Sequence, residues 1–227
     1  MGLILASQEH QYSINTEGGS LLALVFNRLW CRCLNSRKEG YTHFAMMHAD
    51  VEAPACWLDK MIKELDDLGA DILSTVLPIK DKRGITTTAF EDPIDKNIRR
   101  LTMSEALSLP RSFNTIPDNA RFNTLKTLPS KCTLLINTGL WVCRVTDPWV
   151  DQFPGFHILD AIVKEDDGLY QARAYPEDWN FSRWAAEKGL KVYATRMIEA
   201  FHHGRAAYSN HENWGRYDID PGDPRAA

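Results

Sequence analysis

The chain contains no apolar run near the ~20 residues that a membrane-crossing helix needs, no internal repeat and no low-complexity tract. A helical span, a solenoid and a linker-like polymer are therefore not expected, and "MGLILASQEHQ" is apolar over too few residues, and lacks the basic flank, for a signal peptide. A basic excess is also missing. Twenty-six Lys and Arg face 30 Asp and Glu, for a formal net charge of −4 and a pI near 6.0. That balance argues against nucleic acid as a partner, although a local patch is compatible with an acidic total. Cysteine is sparse: Cys31, Cys33, Cys56, Cys132 and Cys143 are odd in number and lack CxxC spacing, which favours reduced thiols in a cytoplasmic protein over a disulfide framework. "QYSINTEGGS" carries no Lys or Arg, unlike the basic Gly-rich loop that cradles phosphates in many nucleotidyltransferases.

What is present fits one domain spanning 1–227, with 44% hydrophobic and 25% charged residues. "LILAS" (3–7) reads as a buried strand, and Gly18, Gly19 and Ser20 lead to a helix as a flexible entry and N-cap. Apolar residues at Leu21, Leu22, Val25, Phe26, Leu29, Trp30, Cys33 and Leu34 give that helix its buried side. "YTHFAMMHAD" reads as a strand, "CWLDKMIKELDDLG" as a helix stopped by Gly69, and "DILSTVLP" as a strand closed by Pro78. This alternation predicts an α/β fold with a mostly parallel, Rossmann-like sheet and helices on both faces. Beyond it, "KDKRGITTTAF" favours extended chain, and 91–130, with four prolines and a short helix at "MSEALSL", reads as an irregular flap. "CTLLINTGLWVCRV" returns to strand, "PEDWNFSRWAAEKG" is a helix, "LKVYATR" a last core strand, and 218–227 a mobile tail.

Three clusters carry chemistry. In "FAMMHADVEAP" (44–54), a strand ends on His48 and Asp50, alternate residues that project to one side. At the carboxyl end of a strand, such a pair suits a hard divalent ion that keeps few protein ligands. The plain alternative is a turn-capping Asp and a core His. Glu177 and Asp178 open a helix, where acids favour the dipole without any further role, or where one could take a proton from an attacking hydroxyl. His202-His203-Gly204 follows a strand, as a metal-ligating or merely loop-forming segment.

The order of "MMHADV", "NTGLWVCR" and "EDWNFSRWAAEKGLKVYATRMIEAFHHG" resembles the GT-A glycosyltransferases, especially the family 2-like branch, over 40–54 and 132–204. There an Asp-x-Asp-like strand end precedes a small-residue loop, an "ED-x-x-F" helix and an "H-x-G" segment. The resemblance implies a GT-A sheet and a metal-dependent transfer of sugar from a nucleotide-diphosphate donor, a UDP-sugar foremost, to a hydroxyl of a saccharide or other acceptor, with inversion. By position, Asp50 and His202 would hold Mn²⁺ or Mg²⁺, with His203 as the other choice. Asp178 would be the general base, and Glu177 would orient it or bind acceptor. Asn137, Thr138 and Gly139 would lie against the transferred sugar, and Ser7 and Gln8 would face the nucleotide. Lys80, Lys82 and Arg83 would complete the donor pocket. His48 departs from the pattern, standing where the first Asp of Asp-x-Asp is expected. Trp141, Trp149, Tyr170, Trp179 and Trp184 could stack on a sugar, or pack the core. A nucleotidyltransferase and a sugar-nucleotide binding module without turnover are the competing readings.

Overall fold

A computed structural model describes residues 6–92, 97–115, 132–165 and 167–213. The expected strand at 3–7 and tail at 218–227 lie wholly or mostly outside the described residues; Ala6 and Ser7 are not in a strand. Helix α1 (Leu22–Ser36) buries Val25, Phe26 and Trp30, and its N-cap is Leu21, with no side-chain cap from Ser20. Strands β1 (His43–Met47) and β2 (Val51–Glu52) flank the turn that carries Asp50. Helix α2 (Trp57–Asp67) buries Trp57, Leu58, Met61, Ile62 and Leu65, the apolar stripe read in its sequence. It stops at Leu68, where Gly69 takes the left-handed φ of 57° that ends helices readily.

Strands β3 (Ile72–Thr75), β4 (Ile85–Glu91) and β5 (Ile98–Thr102) follow. Helix α3 (Met103–Ser108) starts with a capping box between Thr102 and Glu105. After β6 (Ser112–Phe113) come β7 (Thr133–Leu135), β8 (Leu140–Arg144), β9 (Leu159–Lys164) and β10 (Tyr170–Tyr175). Helix α4 (Glu177–Glu187) leads to β11 (Val192–Thr195), β12 (Phe201–His203) and β13 (Ala207–Ser209). The stretch expected as an irregular flap thus holds β5, α3 and β6, while 93–96 and 116–131 lie outside the described residues.

The main sheet has the order β1-β8-β3-β11-β6. Only β3 and β11 are parallel neighbours; β8 runs antiparallel to both β1 and β3, and β6 antiparallel to β11. This corrects the expectation of a mostly parallel, Rossmann-like GT-A sheet. The remaining described strands form three small sheets, β5-β4-β7, β13-β12-β2 and β10-β9, whose pairings are all antiparallel. The physical reason lies in β8. Strand–helix–strand order makes β1 and β3 run the same way, but a strand from 65 residues further along inserts between them in reverse.

Packing follows the two-residue period of strands. Phe44, Met46, Trp141, Cys143 and Ile72 join Phe26 and Trp30 of α1 and Phe181 of α4 on one face. Leu140, Val142 and Leu73 join Trp57, Met61 and Leu65 of α2 on the other. The Trp30 ring stacks on Trp141 and Trp149 at centroid distances of 6.2 and 6.1 Å. Trp141, Trp149 and Trp179 are buried and Trp184 packs against the first cluster, whereas Tyr170 is exposed on β10.

Candidate active site

The turn after β1 is built by its own backbone and by two remote loops. Val51 N–H donates to His48 C=O, and His48 N–H donates to Gly139 C=O at 2.8 Å. His203 N–H donates to Asp50 C=O at 2.7 Å, fastening β12 along β2 in a register that puts His202 opposite Val51. These contacts place the Asp50 carboxylate at the sheet margin with two cationic or metal-ligating neighbours. Lys80 Nζ lies 2.5 Å from Asp50 Oδ2, and His202 Nε2 lies 3.6 Å from the same oxygen. Burial works to raise the Asp50 carboxyl, but the Lys80 hydrogen bond and the His202 and Lys80 charges bring it below the usual carboxylate range.

His202 has its tautomer set by a neighbour. Its Nδ1 donates to Pro78 C=O at 2.7 Å, so a neutral ring turns an Nε2 lone pair toward Asp50. Burial holds its pKa below the ordinary imidazole value, which favours that neutral form. His203 is engaged elsewhere, with Nε2 2.7 Å from Glu52 Oε2. His48 packs its ring on Phe26 at 5.1 Å, its Nε2 is buried without a hydrogen-bond partner, and burial lowers its pKa also. Gly204 makes room for Lys80: a Cβ there would come within 3.0 Å of the Lys80 Cβ.

Two donors about 2.1 Å from one ion lie roughly 3.0 to 3.6 Å apart at bond angles of 90 to 120°. Asp50 Oδ2 and His202 Nε2 match the upper end of that range. Among the described residues no three His, Cys, Asp or Glu side chains group closely enough to hold a metal by themselves. A cation here would need oxygens from its ligand, as diphosphate-bound ions commonly do. Lys80 would have to yield Asp50 to it.

The 137–139 loop joins this turn to α4. The Asn137 side chain donates to Thr75 C=O at 2.7 Å and accepts from Gly139 N–H at 2.9 Å, while Asn137 C=O accepts from Ser74. Asn137, Thr138 and Gly139 are all buried, and the Gly139 N–H and C=O are both used within the fold. A Cβ at Gly139 would sit 2.7 Å from Leu77 Cδ1 and 3.1 Å from Asn137 Oδ1. One residue earlier, Ile136 N–H donates to Ser182 Oγ, which itself donates to Asp178 C=O at 2.7 Å. Hydrogen bonds, together with the 136–139 backbone, therefore link the first turn of α4 to the Asp50 turn.

Asp178 and Glu177 stand in that first turn. Burial, and then the like charge of Glu177, raise the Asp178 carboxyl to about 7, against the pull of Arg100. Glu177 is itself buried, which raises its pKa. Arg100, on β5, lies over the Trp179 ring at 4.5 Å and donates to Thr87 C=O. A carboxyl near 7 is poised to exchange a proton at neutral pH. Ser7 and Gln8 dock elsewhere, on the start of α2. The Ser7 hydroxyl bonds Asp59, Gln8 N–H donates to Asp59 Oδ2 at 2.8 Å, and Ala6 C=O accepts from Leu58 N–H.

Sequence reasoning did not single out Arg100, although two arginines inside the strand-like "IRRLT" are a visible signal of a charged lining. It grouped Lys80 with Lys82 and Arg83 as pocket residues, without the direct Asp50 contact.

No family model matches the sequence, and no curated protein matches it. Among solved structures, the chain is similar to a crystal structure described as a UDP-N-acetylglucosamine pyrophosphorylase from Entamoeba histolytica, with 12% identity and a TM-score of 0.37. The match covers 76% of this chain and 42% of that one, so the chain spans less than half of its length. At that score the likeness establishes neither a shared fold nor a shared activity. No helix among the described residues is long and apolar enough to cross a membrane.

Proposed function

We propose that the chain binds a nucleotide-diphosphate sugar, a UDP-sugar foremost, against Asp50, His202 and Lys80, and transfers the sugar to an acceptor hydroxyl activated by Asp178. The carrying observation is the Asp50 carboxylate with His202 Nε2 and Lys80 Nζ both aimed at one of its oxygens. A divalent ion bound there would act as a Lewis acid on the diphosphate and offset the charge of the leaving group. Lys80 adds a second positive charge at the same place once displaced from Asp50. The buried 137–139 loop supports the Asp50 turn through the Gly139 C=O, and Asp178, with its carboxyl raised to about 7, takes the acceptor proton on the opposite side of an inverting reaction.

A second reading, binding of the nucleotide sugar without turnover, is favoured by Lys80. Its ammonium already neutralises Asp50 and competes with any cation. Release of UDP from UDP-sugars by the purified protein separates the two. Release that needs Mn²⁺ and is lost in Asp178→Asn supports transfer. Tight UDP binding with no release under any condition supports the binding module.

A further inference from the structure

The β9–β10 hairpin stands away from the rest of the fold. Five of the six positions in each strand are exposed, and among the described strands the two pair only with each other. A two-stranded hairpin wet on both faces is marginally stable in water. This one nevertheless exposes Ile162 at 79%, Tyr170 at 69% and Leu169 at 65%. Among the described residues its β9 edge pairs with no other strand, leaving a row of backbone groups of the kind natural sheets usually protect.

The polarity of that edge can be worked out. Glu165 N–H donates to Leu169 C=O at 2.8 Å, and Gly168, at a φ of 84°, donates to Glu165 C=O, which is the signature of a glycine-bulge loop. Hydrogen-bonded and non-bonded pairs alternate along antiparallel strands. Val163–Gln171 and Ala161–Arg173 are then bonded within the hairpin, and the N–H and C=O of Asp160, Ile162 and Lys164 point outward. The same three side chains share one face with their cross-strand neighbours Ala174, Ala172 and Tyr170.

We propose that a second copy of this chain pairs antiparallel along β9, with the two-fold axis at Ile162. That register sets Ile162 against the partner's Ile162 and each Asp160 against the partner's Lys164. It joins the outward N–H and C=O groups of all three residues and yields one four-stranded sheet. Its rows read Tyr170-Lys164 to Asp160-Ala174 of the other copy, with Ala172-Ile162 continued by the same pair at the centre. Only this register sets Asp160 directly opposite Lys164. Moving the axis to Asp160 or to Lys164 would place like charges directly opposite each other. Within one copy Arg173 is taken by Glu165 at 2.6 Å, while Asp160 and Lys164 have no ion-pair partner among the described residues. Lys164 instead lies 5.6 Å from the Tyr170 ring centre, aligned along the row that Asp160 of the second copy would extend.

The interface is small, so association is expected in the micromolar range or weaker. Sedimentation equilibrium on the full chain, from about 1 to about 500 µM, should show a monomer–dimer equilibrium. Asp160→Lys alone and Lys164→Asp alone should each weaken it about tenfold or more, by opposing like charges. The double reversal restores complementarity and should return the dimer to near wild-type affinity. Circular dichroism checks that each exposed substitution leaves the fold intact. A monomer at every concentration overturns the proposal, as does a dimer indifferent to the single reversals, or one that the double reversal fails to restore.

Discussion

His202 and Asp50 face each other at 3.6 Å across two strands that are 150 residues apart in sequence, with Pro78 fixing which imidazole nitrogen is turned inward. On the proposed reading, that relationship makes His202 a ligand of the bound ion. His202→Ala should weaken Mn²⁺-dependent UDP binding by about 10-fold or more and leave metal-free binding nearly unchanged. Titration of UDP with and without Mn²⁺ checks it. His203→Ala, which removes only the exposed Glu52 contact, should change neither.

Lys80 gives the opposite sign for the metal alone. Lys80→Met keeps the stem beside Gly204 but frees the Asp50 carboxylate. Affinity for Mn²⁺ without nucleotide should rise, and affinity for UDP should fall, because one phosphate-facing cation is gone. Manganese spin-resonance titration, with and without UDP, reads both. If Mn²⁺ alone binds no better, Lys80 and the metal do not share Asp50.

Asp178 links activity to stability through pH. Its carboxyl is raised to about 7 in the fold, against ~3.9 in an unfolded chain. Between those values the native state holds a proton that the unfolded state has released. Stability therefore falls as pH rises from about 4 to about 7, and stays lower above that. Asp178→Asn should raise the melting temperature at pH 8, by an amount on the order of a few kcal/mol in stability, with little change at pH 4. On the proposed reading sugar transfer needs the ionised form, so it should climb through pH 7 in wild type and drop by roughly 10²- to 10⁴-fold in the variant. Thermal melts across pH, alongside the transfer rate, test both halves.

Gly139→Ala tests the loop that joins the two halves of the site. The added methyl meets Leu77 and the Asn137 side-chain oxygen Oδ1, so Asn137 must move or strain its bond to Thr75. A loss of about 1–3 kcal/mol is expected from such overpacking, read by denaturant unfolding. A stability within error of wild type would mean the loop relaxes freely.

Periodicity made the local elements legible. The stripes of α1 and α2 and the Gly69 stop stand where spacing put them, whereas β1 ends at Met47 with Asp50 in the turn beyond it, and α1 takes no side-chain cap from Ser20. Which strands lie side by side was not legible, because nothing in "NTGLWVCR" states that β8 will insert in reverse between β1 and β3. Propensity acts over a few residues; sheet order is set by burial on both faces. The β9–β10 hairpin was also passed over, although Gly168 after three acidic residues, between alternating runs, is a turn signal. The places of Asp50, just past a strand, and of Asp178, at a helix start, were readable, while their roles belong to the proposal. The Lys80 contact and the Arg100 lining arise from loops and strands far off in sequence, where only the fold makes them neighbours.

Calorimetric titration of UDP into wild type and Asp50→Ala, with and without Mn²⁺, addresses the proposed donor site itself. UDP binding that strengthens with Mn²⁺ in wild type and loses that dependence in the variant is the expected result. A folded protein that binds no UDP, or whose Mn²⁺-dependent binding survives the loss of the Asp50 carboxylate, would contradict the reading of this turn as the place where a diphosphate is held.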